Sequence, residues 1–263
     1  MTTTAYLTAL ETHLRGTDRK LLVPYVTGGV SDDWIDYVHA AVDAGADAVE
    51  IGIPFSDPVI DGPVIQAASV RSLDRGTTPE SVLRDLAAYR RDVPLIAMTY
   101  YNLVLQHGQR EFARDLVASG VNGAILPDLP LEESASWEAD AAAHGVATVL
   151  IAAPSTPDDR LAALCSRSTG FVYGMGVMGV TGERAAPTDS ARDMARRLKA
   201  VTDKPVLIGV GVSTKENAEK VAGVADGVII GAPVMRRVAE AGGAAGVAEL
   251  IAGFRAALDR AGG

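Results

Sequence analysis

Short apolar runs recur along the chain with stretches of helical period between them. Eight stand out, at residues 21–26, 48–53, 95–99, 123–126, 147–151, 171–174, 206–210 and 227–230. Each is brief and almost wholly apolar, the pattern expected of strands covered on both faces of a parallel sheet. Between them, residues 32–44, 79–91, 110–118, 131–143, 190–202 and 214–222 place apolar side chains at three- and four-residue intervals, as amphipathic helices do. Helix-start chemistry supports several of these: Ser31 before Asp32, Thr78 before Pro79, and Ser213 and Thr214 ahead of Glu216.

Strand and helix alternate without a long linker, a proline-rich tract or a low-complexity stretch. This predicts an α/β fold, a single (β/α)8 (TIM) barrel over residues 1–263 with an extra N-terminal helix. A doubly wound open sheet is the alternative arrangement of the same units. The longest interruption, residues 54–76, opens with PFSDPVIDGP and is too rich in proline and aspartate to extend a strand. It is expected to be a loop at the C-terminal end of the second strand, the end that carries the active site in barrels. Residues 173–187, containing GVMGVTGERAAP, are expected to form a second long loop, a mobile lid over the same face.

In DAVEIGI a carboxylate, Glu50, interrupts an apolar strand. Burying it ionised and unpaired costs several kcal/mol. It is therefore either a salt-bridged residue near the strand end or a general acid/base with a raised pKa. Asp61, eleven residues later in the loop leaving that strand, is a candidate partner. Asp57, between Ser56 and Pro58, competes with it, although a turn-stabilising role is the plainer expectation there.

After the seventh run, GVGVS (209–213) leads straight into a helix, and Gly231 opens a helical segment after the eighth. Backbone N–H groups at such turns face anions readily, and barrel phosphate sites commonly lie after strands seven and eight. Gly179 and Gly182 would close a third side. GVGVS lacks the full G-x-G-x-x-G spacing, so a nicotinamide cofactor is not expected. His13, His39, His107 and His144 fall at no metal-ligand spacing; Cys165 shows no activating pattern, and Trp137 reads as packing.

Charge narrows the partners. With 33 acidic against 24 basic residues, a net charge of -9, the chain has no electrostatic footprint for nucleic acid or an anionic membrane. Its 48% apolar and 22% charged residues are those of an ordinary globular protein. A lone cysteine, a start (MTTTAYLTAL) without secretory-signal features, and no apolar run near the ~18 residues of a membrane span lead us to expect a cytoplasmic location.

The motifs also carry a resemblance. GADAVEIGIPFSDPVIDGP (45–63), MTYYN (98–102), GAILPDLPLEES (123–134), GVTG (179–182), GVGVST (209–214) and ADGVIIGA (225–232) are similar, in content and order, to the signatures of the tryptophan synthase α-subunit family over nearly the whole chain. The resemblance implies a carbon-carbon lyase of aromatic amino-acid biosynthesis that cleaves indole-3-glycerol phosphate to indole and glyceraldehyde 3-phosphate. Glu50 and Asp61 match the family's catalytic carboxylates: Asp61 would hold the indole N–H, and Glu50 would protonate ring carbon 3 and deprotonate the glycerol hydroxyl. Tyr25, Met98, Tyr100 and Tyr173 would line the indole side, Gly182, Gly211, Gly231 and Ala232 would hold phosphate, and Thr181 would belong to the closing loop. No metal or organic cofactor is implied. The implied partner is a β subunit that receives the indole in an αββα-type assembly, with Pro54 and Asp57 at contact positions.

Several positions depart from the family pattern. Gly29, Val30 and Ser31 replace a usual Gly-Asp-Pro, Ile60 an alanine, Val64 a threonine, Gly176 a serine and Ala232 a serine, while Val177 stands where a basic residue is common. These leave room for a free-standing lyase of a specialised indole pathway, or for a weakly catalytic scaffold or activator of a β-like partner. Retention of both carboxylates argues against the scaffold, and their paired signature argues against another barrel enzyme acting on a phosphorylated sugar.

Overall fold

The computed structural model describes residues 7–177, 187–240 and 242–262. The strands β1 (Leu21–Thr27), β2 (Val49–Gly52), β3 (Leu95–Met98), β4 (Val121–Ile125), β5 (Ala147–Ala152), β6 (Val172–Met175), β7 (Val206–Gly209) and β8 (Gly227–Ile230) pair in chain order. All pairings are parallel, and β8 returns to β1 through Leu22↔Val228 and Val23↔Ile229. This is a closed (β/α)8 barrel, which removes the open-sheet alternative.

The apolar runs split by alternation. Leu21, Val23, Ile96, Val149 and Leu207 fill the barrel interior, while Leu22, Val49, Ile51, Ala97 and Ile208 pack outward against the helices. Both sets are buried, so the strands carry no polar face. The helix Ala9–Arg15 precedes β1, as expected. Thr8 caps it through Glu11 N–H, and Leu10 and Leu14 join the interior cluster at the end of the barrel that carries the strands' N-termini. At the same end, buried Asp47 accepts from Leu22 N–H (2.8 Å), Arg19 Nε (2.8 Å) and Arg255 Nη1 (3.0 Å). That cluster fastens the C-terminal helix Gly243–Gly262 to the start of β2.

Local expectations needed correction in several places. The segment expected as loop through Gly76 contains a helix, Pro63–Asp74, begun by Gly62 as cap and proline in the first turn. A further helix, Tyr101–His107, follows β3. Ser31 does not cap the next helix: Trp34–Asp43 starts after Asp33, and Ser31 Oγ donates instead to Tyr37 Oη at 3.1 Å. The helix expected over 131–143 begins later, at Ala135–Ala143, because residues 131–134 form turns after Pro130. β4 starts two residues early, at Val121, since Asn122 turns its amide oxygen to Leu95 N–H and is tolerated in the strand. Thr78 and Thr214 do cap their helices, Thr78 in a reciprocal box with Ser81.

Candidate active site

At the C-terminal mouth of the barrel lies a cavity of about 310 Å³, within the range of small-molecule sites. Glu50 and Asp61 both line it. Glu50 faces inward, β2 pairing it with Tyr25 on β1 and Ile96 on β3, and it is buried, 2% exposed, at the cavity wall. Its Oε2 has no hydrogen-bond partner among the described residues. Burial first, and the charge of Asp61 second, push its pKa from 4.5 to about 8. No cation neutralises it, so the salt-bridge reading of Glu50 has no support in the described residues.

Asp61 is held differently. Its amide donates to Pro58 O (3.1 Å), closing the turn ahead of Gly62, and its Oδ2 accepts from Tyr100 Oη at 3.2 Å. Tyr100 Oη in turn accepts from Ile60 N–H at 3.1 Å, and the ring stacks on Phe55 with centroids 5.0 Å apart. Burial raises the pKa of Asp61 to about 6, while the Tyr100 bond pulls it down. Two carboxylates on one cavity thus have separated titrations, Asp61 ionised and Glu50 protonated at neutral pH. Asp57 is exposed, accepts from Ser56 Oγ at 2.6 Å and stays off the cavity, so of the two loop aspartates Asp61 is the one beside Glu50.

Tyr25, Met98 and Tyr173 also line the cavity. Their packing explains two glycines. A Cβ on Gly52 would stand 1.8 Å from Tyr25 Oη, and one on Gly209 would stand 2.0 Å from Tyr173 Oη. Each tyrosine therefore lies across the neighbouring strand where only hydrogen leaves room. Burial raises the pKa of both hydroxyls, keeping them neutral donors. Tyr100 stands back from the wall and reaches the cavity through Asp61.

The opposite side is built from Val210 to Ser213 and from Gly231 to Pro233. Gly211 has φ +98° and Val210 φ +54°, a left-handed turn that β-branched residues rarely adopt. Gly231 caps the helix Ala232–Ala239, whose free N–H groups open at this wall. Thr181, Gly182 and Gly179 lie outside the described residues, as does most of the expected lid. Residues not foreseen from the sequence complete the wall: Ile65, Ile151, Met175, Ile229 and Arg236. The inward register of β5, β6 and β8 was the available signal for Ile151, Met175 and Ile229. No cluster of side chains able to hold a metal occurs among the described residues, and none of their helices is long and apolar enough to cross a membrane.

A closed parallel barrel with an acid–base carboxylate pair at the C-terminal mouth defines the general class, a (β/α)8-barrel enzyme. The family model described as tryptophan synthase alpha chain matches residues 12–256. The tryptophan synthase alpha chain of Streptomyces coelicolor is 46% identical over 220 residues, covering 83% of this chain and 79% of that protein. That of Halorhodospira halophila is 40% identical over 252 residues, covering 94% and 92%. A solved chain of Mycobacterium tuberculosis tryptophan synthase superposes with a TM-score of 0.88 at 35% identity, covering 97% of this chain and 99% of that one. The chain belongs to the tryptophan synthase alpha chain family.

Proposed function

We propose that this chain, acting as one barrel domain, cleaves indole-3-glycerol phosphate to indole and glyceraldehyde 3-phosphate. The observation that carries the reading is the pair of carboxylates on one apolar cavity with their titrations pushed apart. Ionised Asp61 accepts the indole N–H and stabilises the positive charge that develops when ring carbon 3 is protonated. Protonated Glu50 supplies that proton. The resulting Glu50 carboxylate then takes the proton from the hydroxyl on the adjoining side-chain carbon. As the carbonyl forms, the carbon-carbon bond breaks and its electron pair returns to the ring, releasing indole. Glu50 ends protonated, ready for the next cycle, and no external oxidant or reductant enters the balance.

Tyr25, Met98 and Tyr173 supply the flat apolar wall suited to an indole ring. The Gly211 and Gly231 turns, with Ala232, supply backbone donors for the phosphate; by family resemblance Gly182 is assigned to the same end and Thr181 to the closing loop. The reaction as written needs no metal or organic cofactor. A β-chain partner would take up the indole, seated over the mouth where Val59 and Ile60 expose apolar surface and Asp57 is exposed, while Pro54 lies buried beneath. The cytoplasm is the compartment this chemistry expects.

The test is indole release from indole-3-glycerol phosphate by the purified chain, with and without a tryptophan synthase β chain. Slow release accelerated by the partner is the expected result. Fast release by the chain alone would instead mark a free-standing lyase, and no release in either case would refute the proposal.

A further inference from the structure

Glu50 and Asp61 are acidic groups on the cavity wall, yet the substrate proposed above brings a phosphate dianion into the same space. The backbone turns offer partial charges only, and the side chain of Ala232 offers no donor. Among the described residues one cation lines the cavity, Arg236. It lies four residues after Ala232 on the helix Ala232–Ala239, hence on the same helical face and one turn further in.

Its surroundings set it apart from its neighbours. Arg237, the next residue, faces Glu240 and Glu249, and Arg255 and Arg260 pair with Asp47 and Glu219. The Arg236 side chain is exposed and makes no hydrogen bond or ion pair among the described residues. It also lines an adjoining cavity of about 500 Å³ between the helices Pro63–Asp74 and Ala232–Ala239. Arg236 thus stands between two cavities of the described residues, and a guanidinium matches a phosphate through two parallel N–H bonds.

We infer that Arg236 is a substrate-binding residue that recognises the phosphate of the substrate, selecting the phosphorylated over the free glycerol side chain. The inference rests on the function proposed above and adds to it a charged reader at a site otherwise built from backbone amides. Arg236 takes no part in proton transfer, so its contribution falls on binding.

The experiment is calorimetric titration of the purified chain with glycerol 3-phosphate, and with glycerol as the uncharged control, on the native protein, Arg236→Met and Arg236→Lys. Loss of a charge-assisted contact should weaken glycerol 3-phosphate binding by about tenfold or more in Arg236→Met. Arg236→Lys should recover part of it, glycerol should bind no better to either, and turnover should show a raised KM with kcat little changed. Equal affinity of the native protein and Arg236→Met for glycerol 3-phosphate would overturn the role of Arg236 while leaving the phosphate site standing. Failure of the native protein to bind glycerol 3-phosphate at all would remove the phosphate reading, and this inference with it.

Discussion

Replacing Glu50 by glutamine should make the protein more stable as it becomes inactive, and the gain should depend on pH. In the folded chain the carboxyl titrates near 8, against 4.5 when exposed. Below about pH 4 both states hold the proton and the side chain contributes no difference. Between the two values the unfolded chain releases a proton that the folded chain keeps, so stability falls as pH rises, by about 1.4 kcal/mol per unit. The penalty reaches roughly 3 kcal/mol at pH 7 and levels off at roughly 5 kcal/mol above pH 8. Glutamine has the same shape and does not titrate. Glu50→Gln should therefore match the native protein below about pH 4 and melt roughly 10–20 °C higher at pH 8.5, taking ~2–4 °C per kcal/mol for a chain of this size. Scanning calorimetry at a series of pH values measures this directly, with indole release recorded on the same samples. Turnover should drop by about 10² to 10⁴, the usual worth of a positioned acid/base. Parallel melting curves for the two proteins at every pH would mean that Glu50 is ionised and solvated in the folded state, and its role as the acid would be lost.

Further outcomes follow from the same geometry. The dependence of kcat/KM on pH should be bell-shaped, with limbs near 6 and 8 from Asp61 and Glu50; Tyr100→Phe removes the bond that lowers the Asp61 pKa and should move only the acidic limb, upward. A single-limbed profile refutes the division of labour. Asp47→Ala leaves the Arg255 guanidinium and Leu22 N–H without their shared acceptor and should cost about 3 kcal/mol in urea unfolding; a loss under 1 kcal/mol would show that water replaces the carboxylate. Gly52→Ala forces Tyr25 out of its seat and should cost roughly 1–3 kcal/mol, with Tyr25→Leu in the same chain recovering part of that loss. Additive effects of the two substitutions would show that they do not touch.

The barrel was legible in the sequence because each strand is buried on both faces, which leaves an apolar run whose meaning does not depend on register. Glu50 was legible for the same reason: one charge in such a run is a conspicuous exception. The helix Pro63–Asp74 was not, since its low amphipathicity and the prolines ahead of it read as loop, although proline at a first helical turn is a start signal. Tyr100 illustrates another limit. Resemblance places it near the ring, but only the three-dimensional path from Ile60 N–H through its hydroxyl to Asp61 shows that it acts on the carboxylate. Arg236 was missed because its relation to the Gly231 turn depends on a helical rise, which joins two positions that look unrelated in a loop-centred search for phosphate ligands.

The helix ahead of β1 has a consequence for traffic. With Leu10 and Leu14 packed into the interior at the strands' N-terminal end, the described part of the barrel has a filled floor. The cavity opens away from that floor, toward the C-terminal rim, for the hydrophobic product as well as the charged one. Whichever body rests on that rim therefore decides the destination of both, and a partner needs no contact with the reacting atoms to govern the order in which they depart.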